Sequence, residues 1–175
     1  MIRKAVREDI DAIEKIYIGI HERESAGLMK IGWLPKVYPV RGTAEAALER
    51  DDLFVYEENG NVLASAIINQ TQVDSYALGK WSAVAADDKV MVLHTLVVDP
   101  DEGKRGIGRE FVRFYEEYAA KLGCEWLRMD TNEKNAVARA FYKKLGYDEI
   151  GIVPCVFNGI PDVKLVLLEK RVLNQ

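Results

Sequence analysis

The sequence predicts an α+β (mixed α/β) domain on one central sheet, and three observations carry that reading. β-prone runs and runs of helical period follow one another along the whole chain. Two Asn-Gly pairs, Asn59-Gly60 and Asn158-Gly159, each stand between β-prone runs, the pattern of a tight hairpin. A strand–turn–helix unit sits mid-chain, where "VMVLHTLVV" runs through "DPDEGKRGIG" into an amphipathic segment. Helices and strands interleaved in this way must share one apolar core.

The elements follow in order. Ile2 to Val6 alternates and reads as a short strand. Ile10, Ile13, Ile16, Tyr17 and Ile20 recur at helical spacing, with acidic Glu8, Asp9 and Asp11 suited to the first turn. Pro35 and Pro39 keep "LMKIGWLPKVYPVRG" irregular. "TAEAALERD" reads as a short helix with Thr43 as N-cap. "LFVYEENGNVLASAII" is a hairpin. Gln70 to Lys89 is the least regular stretch, a long loop or decorated hairpin, which makes four strands or so before the next helix. The run from Val90 is a strand stopped by Asp99-Pro100. Beyond the glycine turn, Ile107, Phe111, Phe114, Tyr115, Tyr118 and Leu122 fall on one helical face, with Gly123 as its stop. "CEWLRMD" is a strand. "NAVARAFYKKL" is a helix with Val137, Phe141 and Leu145 in line and Gly146 as its stop, and two strands close the chain.

Composition narrows the function classes. With 175 residues, 49% hydrophobic and 30% charged, the chain suits one domain spanning residues 1–175. A net charge of −4 gives no support to a nucleic-acid or membrane-surface role. No apolar run nears the roughly 18 residues of a membrane span, and "MIRKAVREDIDAI" has no signal-peptide core. Two cysteines and two histidines lack metal-ligand spacing, so no metal is expected. The expected location is cytoplasmic, with reduced thiols.

The turn from Gly103 to Arg109 holds three glycines with Lys104, Arg105 and Arg109. A helix start offers unpaired N–H groups and a positive dipole end, and glycines let the backbone approach an oxygen-rich ligand. The turn fits neither the Walker loop nor the dinucleotide fingerprint. On the residues alone it is a phosphate cradle or an ordinary helix entry.

Two segments carry a resemblance. "LHTLVVDPDEGKRGIGREFVRFYEEYA" resembles the fourth strand, pyrophosphate loop and following helix of the GNAT superfamily of acetyl-CoA-dependent N-acetyltransferases. "NEKNAVARAFYKKLGY" resembles that superfamily's second signature, with Asn135, Ala138, Phe141, Tyr142, Lys144, Gly146 and Tyr147 in register. One position departs, because Gly103 stands where the family loop usually carries Gln or Arg.

The resemblance implies a central mixed, mostly antiparallel sheet with flanking helices. It also implies coenzyme A contacts from Leu96, Val97, Val98, Lys104, Arg105, Gly106, Ile107, Gly108, Arg109, Asn135 and Tyr142. Within that set the Val98 amide would polarise the thioester carbonyl, and Tyr142 would be the general acid for the leaving thiolate. The amine must lose a proton before it attacks. His94 titrates in the right range, and strand alternation would put Leu96 and Val98 on its side. Its offset resembles a histidine of the arylalkylamine branch. Glu22 and Glu24 are weaker candidates for a base or for holding a cationic acceptor. Trp33, Tyr38, Tyr76 and Trp81 either line the acceptor pocket or pack the loops. The expected activity is acetyl transfer to a primary amine of a small molecule or amino acid. The alternative is a coenzyme A sensor without turnover. Neither a nucleic-acid nor a membrane partner is expected, and the last strand leaves a homodimer open.

Overall fold

A computed structural model describes residues 1–172; the last three residues of the expected 1–175 domain lie outside the described residues. The strands are β1 (Ile2–Lys4), β2 (Leu53–Glu58), β3 (Asn61–Asn69), β4 (Val90–Val98), β5 (Trp126–Asn132), β6 (Asp148–Phe157) and β7 (Ile160–Arg171). The helices are α1 (Ile10–Ser25), α2 (Arg41–Glu49), α3 (Ile107–Lys121) and α4 (Ala136–Lys144). Seven strands form one sheet in the order β1-β2-β3-β4-β5-β7-β6. β4 and β5 run parallel, whereas β1–β2, β2–β3, β5–β7 and β6–β7 are antiparallel. The expected mixed, mostly antiparallel sheet is therefore present. Among the described residues no helix is long and apolar enough to cross a membrane.

The chain divides into two compact units, and the division falls at the last residue of β3, inside β4 and inside α3. The first comprises Met1–Met29, Trp33–Ile68 and His94–Tyr115. Its core takes Ile10, Ile13 and Tyr17 from α1, Leu53 and Val55 from β2, and Phe111 and Tyr115 from α3, all buried. Phe54 and Phe114 meet with ring centroids 5.4 Å apart. The turn at Asn59 (φ 53°) and Gly60 (φ 79°) is left-handed at both central residues, as a two-residue hairpin requires.

The second unit comprises Lys30–Gly32, Asn69–Leu93 and the chain from Glu116 onward. One face of its sheet buries Val90, Val92, Val163, Leu165 and Leu167 beneath Tyr76, with Trp81 packed alongside. Most of the stretch between β3 and β4 is a loop carrying the 3-10 turns Asp74–Leu78 and Asp87–Lys89. Three strands, not four, therefore separate α2 from α3. A buried pair holds this loop down. The Arg128 guanidinium donates to Gln72 Oε1 (2.6 Å) and to the Ala83 carbonyl (3.0 Å), and it lies 4.1 Å from the Trp81 ring centre. Glu169, 4.0 Å from Arg128, accepts from the Ser82 amide at 2.7 Å.

Three local expectations are corrected. Helix α2 begins two residues before Thr43, whose hydroxyl accepts from the Val40 amide (3.1 Å) from within the first turn instead of acting as N-cap. Leu122 is exposed because it lies past the end of α3; Val112 and Ala119 complete the buried stripe. In α4, Val137 is exposed and Tyr142 is buried, so the inward face is turned one residue from the expected one.

Candidate active site

In the first unit, β4 leads into the loop from Asp99 to Gly106. The Asp99 side chain accepts from the Asp101 amide at 2.9 Å and starts a 3-10 turn at Pro100. Pro100 lies against Gly19 of α1, and Arg23 of α1 pairs with Asp101. Farther along, Arg105 pairs with Glu58 of β2 and with Glu102, each at 2.5 Å. These contacts fix the loop from both sides. They also engage the Arg105 guanidinium within the protein, where the sequence suggested a phosphate partner.

Lys104 (φ 69°) and Gly106 (φ 86°) are both left-handed and turn the chain sharply into α3. A Cβ added at Gly106 would meet nothing within 4 Å, so the surface above it is open. The Gly106 carbonyl accepts from Glu110 (3.0 Å), which makes Gly106 the N-cap. The amides of Ile107, Gly108 and Arg109 then fall in the first turn, where backbone N–H groups lack intrahelical partners. Lys104 and Arg109 are exposed beside them, while the Ile107 side chain is buried. Open room, first-turn amides and two exposed cations suit a pyrophosphate. Gly103 has φ −58°, and a Cβ there would sit 3.6 Å from the Pro100 carbonyl, an ordinary contact. The departure at Gly103 thus removes a side chain without altering the backbone path.

On β4, Val97 is buried and His94, Leu96 and Val98 are half-buried. Thr95 has φ 49°, and its hydroxyl is hydrogen-bonded to that of Tyr38. A left-handed residue interrupts the two-residue alternation of a strand. The inference that Leu96 and Val98 share the side of His94 therefore does not carry across Thr95. Trp33 packs edge-on against Tyr38, with centroids 5.8 Å apart. Glu22 is exposed and Glu24 half-buried at the end of α1.

In the second unit, the Asn135 side chain accepts from the Ala138 amide at 3.1 Å and caps α4. That cap fixes the start of a short helix, on which Tyr142 faces inward. Tyr142 is 9% exposed and stacks edge-on with Phe141 and Tyr147 at 5.1 and 5.9 Å. Tyr147 in turn donates to Glu116 Oε1 (3.0 Å), so the aromatic set is anchored at its far end. Burial, and next the charge of Asp130, push the Tyr142 hydroxyl above the usual phenol range. It stays protonated throughout the neutral range.

Asp130 escaped the sequence reading. The Tyr76 hydroxyl donates to its Oδ2 at 2.8 Å. Burial pushes this carboxyl up to about 6 against the lowering effect of that bond. It belongs to no motif, and its only sequence signal is an acidic residue ending an apolar strand. Of the aromatics proposed for an acceptor pocket, Trp81 already carries Arg128 over its ring and donates to the Tyr76 carbonyl (2.7 Å), a packing role.

The model of the acetyltransferase (GNAT) family matches residues 12–147. An uncharacterized N-acetyltransferase of Methanocaldococcus jannaschii is 27% identical over 154 residues, 87% of this chain, which spans only 62% of that relative's length. The ribosomal-protein-bS18-alanine N-acetyltransferase of Escherichia coli K12 is 25% identical over 119 residues, 68% of this chain and 77% of that one. Among solved structures, yncA of Salmonella typhimurium, solved with its cofactor acetyl-CoA, superposes with a TM-score of 0.69. It has 18% identity and covers all of this chain and 95% of its own. The matched span takes in β4, the glycine loop, α3, β5 and α4, and this chain belongs to the acetyltransferase (GNAT) family.

Proposed function

We propose that the protein, acting as a single domain, moves an acetyl group from acetyl-CoA to a primary amine of a small molecule or amino acid, by direct attack in a ternary complex. The observation that carries this reading is a buried, inward-facing Tyr142 in a chain whose open glycine loop feeds the start of α3. Acetyl-CoA is here a substrate that supplies the activated acyl group. The amides of Ile107, Gly108 and Arg109, with Lys104 and Arg109, would hold its pyrophosphate. The main chain of Leu96, Val97 and Val98 would run beside the pantetheine arm, and the Val98 amide would take the developing oxyanion. Tyr142 would donate its proton to sulfur as the C–S bond breaks. Asn135 serves through the cap that fixes the start of α4. Arg105 contributes by bracing the loop. His94 is one candidate to take the proton of the ammonium.

A second reading, that the acceptor is the α-amine of a protein, is favoured by the similarity to the ribosomal-protein-alanine enzyme. Both acceptors present a primary amine. The test is acetyl-CoA-dependent thiol release against amines, polyamines, amino acids and alanine-ended peptides. Release with one class supports acetyl transfer and names the acceptor. Silence across the panel, with acetyl-CoA still bound in calorimetry, would favour a coenzyme A sensor, for which the Gly103 substitution is the one sequence argument.

A further inference from the structure

Strand β5 presents alternate residues to opposite faces. Leu127 and Met129 are buried on one face. Arg128, Asp130 and Asn132 lie on the other, opposite Glu169, Leu167 and Leu165 of β7, and that face carries the loop with Tyr76 and Trp81. Of these three, Arg128 and Asn132 have evident structural work. Arg128 ties down the loop. Asn132 accepts from the Lys134 amide (3.0 Å) and touches Gly32, where any Cβ would come within 2.2 Å of its Nδ2. Asp130 sits between them, only partly buried, and Tyr76 engages one of its oxygens. A tyrosine that is itself 2% exposed is a rigid donor, so it fixes the direction of the second oxygen. The β4–β5 ladder ends at Leu93↔Met129, and Asp130 is the next residue on β5.

We propose that Asp130, oriented by Tyr76, takes the proton of the incoming ammonium and is the base of the transfer. The assignment rests on the acetyltransferase reading above. The balance is simple. The ammonium gives one proton to the Asp130 carboxylate and becomes a neutral amine. Its nitrogen bonds to the acyl carbon as the C–S bond breaks, and the thiolate takes the Tyr142 proton. The nitrogen of the N-protonated amide so formed gives its excess proton to the Tyr142 phenolate, and Asp130 releases its own to solvent. A base operates best when its pKa approaches the working pH, and the burial that lifts this carboxyl moves it that way. The ionisable groups around it are Tyr76 from the Asp74–Leu78 turn, Tyr142 from α4 and Cys155 from β6, the last two shifted upward by burial and next by its charge. The nearest cation along the same face of β5, Arg128, is engaged with Gln72, Ala83 and Glu169.

The experiment is the pH dependence of kcat/KM, with acetyl-CoA affinity measured separately by calorimetry, for wild type, Asp130→Asn, Tyr76→Phe and His94→Ala. Wild type should rise through about pH 6. Asp130→Asn should lose that limb and at least about tenfold in kcat/KM at pH 7, with acetyl-CoA affinity kept. Tyr76→Phe removes a bond that favours the carboxylate, so its limb should move to higher pH. His94→Ala should retain the limb. A limb that persists in Asp130→Asn, or that only His94→Ala removes, overturns the assignment while leaving acetyl transfer intact. Absence of turnover in wild type with every amine would overturn the acetyl-transfer reading and this one with it.

Discussion

At the residue scale, the proposed chemistry would rest on two groups whose proton affinity burial raises, Tyr142 and Asp130. The first was legible because it stands in a signature whose spacing survives in sequence. The second was not, because a carboxyl's environment comes from residues distant in the chain, here Tyr76, 54 positions away. A raised carboxyl pKa also leaves a mark on stability. The folded protein binds a proton at Asp130 more tightly than the unfolded chain does. Stability is therefore lost as pH rises from the ordinary carboxylate value, 3.8, through about 6. Above that window the ionised group costs up to about 3 kcal/mol. Asp130→Asn should accordingly raise Tm by several degrees at pH 7.5, with the gain shrinking toward pH 4. A scanning-calorimetry series over that range checks it, and an Asn variant that melts lower at pH 7.5 would contradict the environment assigned to Asp130.

At the element scale, turns and stops were read well because their residues are constrained locally. Gly123 and Gly146 end α3 and α4 at φ 74° and 84°. Helix phase was read less well. Val137, Phe141 and Leu145 were read as one line, yet Val137 is exposed and Tyr142 is buried. The bulge-like Thr95 was equally hidden, since nothing in "LHTLVV" marks a left-handed residue. The glycine loop offers a prediction of its own. At φ 86°, Gly106 admits a β-branched residue only with strain, on the order of 1–3 kcal/mol. Gly106→Val should keep the fold and lose at least about tenfold in acetyl-CoA affinity by calorimetry, because the first-turn amides would be displaced. Gly103→Gln, at an extended position (φ −58°, ψ 154°) with room for a Cβ, should melt within about 2 °C of wild type and bind no more weakly. Normal affinity in Gly106→Val would remove the loop from the donor site.

For the whole molecule, the order of elements was legible except between α2 and α3, where four strands or so were expected and three are present. Each strand found in the sheet had been marked by β-prone runs or by a hairpin turn. The stretch between β3 and β4 had no such mark, and it forms a loop fastened by Arg128 and Glu169. The tie was invisible in sequence because each partner is an ordinary charged residue in an apolar strand. Acceptor identity was not legible for a related reason: the surfaces that would recognise it come from irregular segments, whose composition has no period to read.

The central claim is acetyl transfer with Tyr142 as the acid. Its most direct test is kcat for thiol release, with the best acceptor, in wild type and Tyr142→Phe, alongside acetyl-CoA affinity in both. The account predicts a fall in kcat of about 10²-fold or more with affinity unchanged. Equal turnover in the two proteins would contradict it.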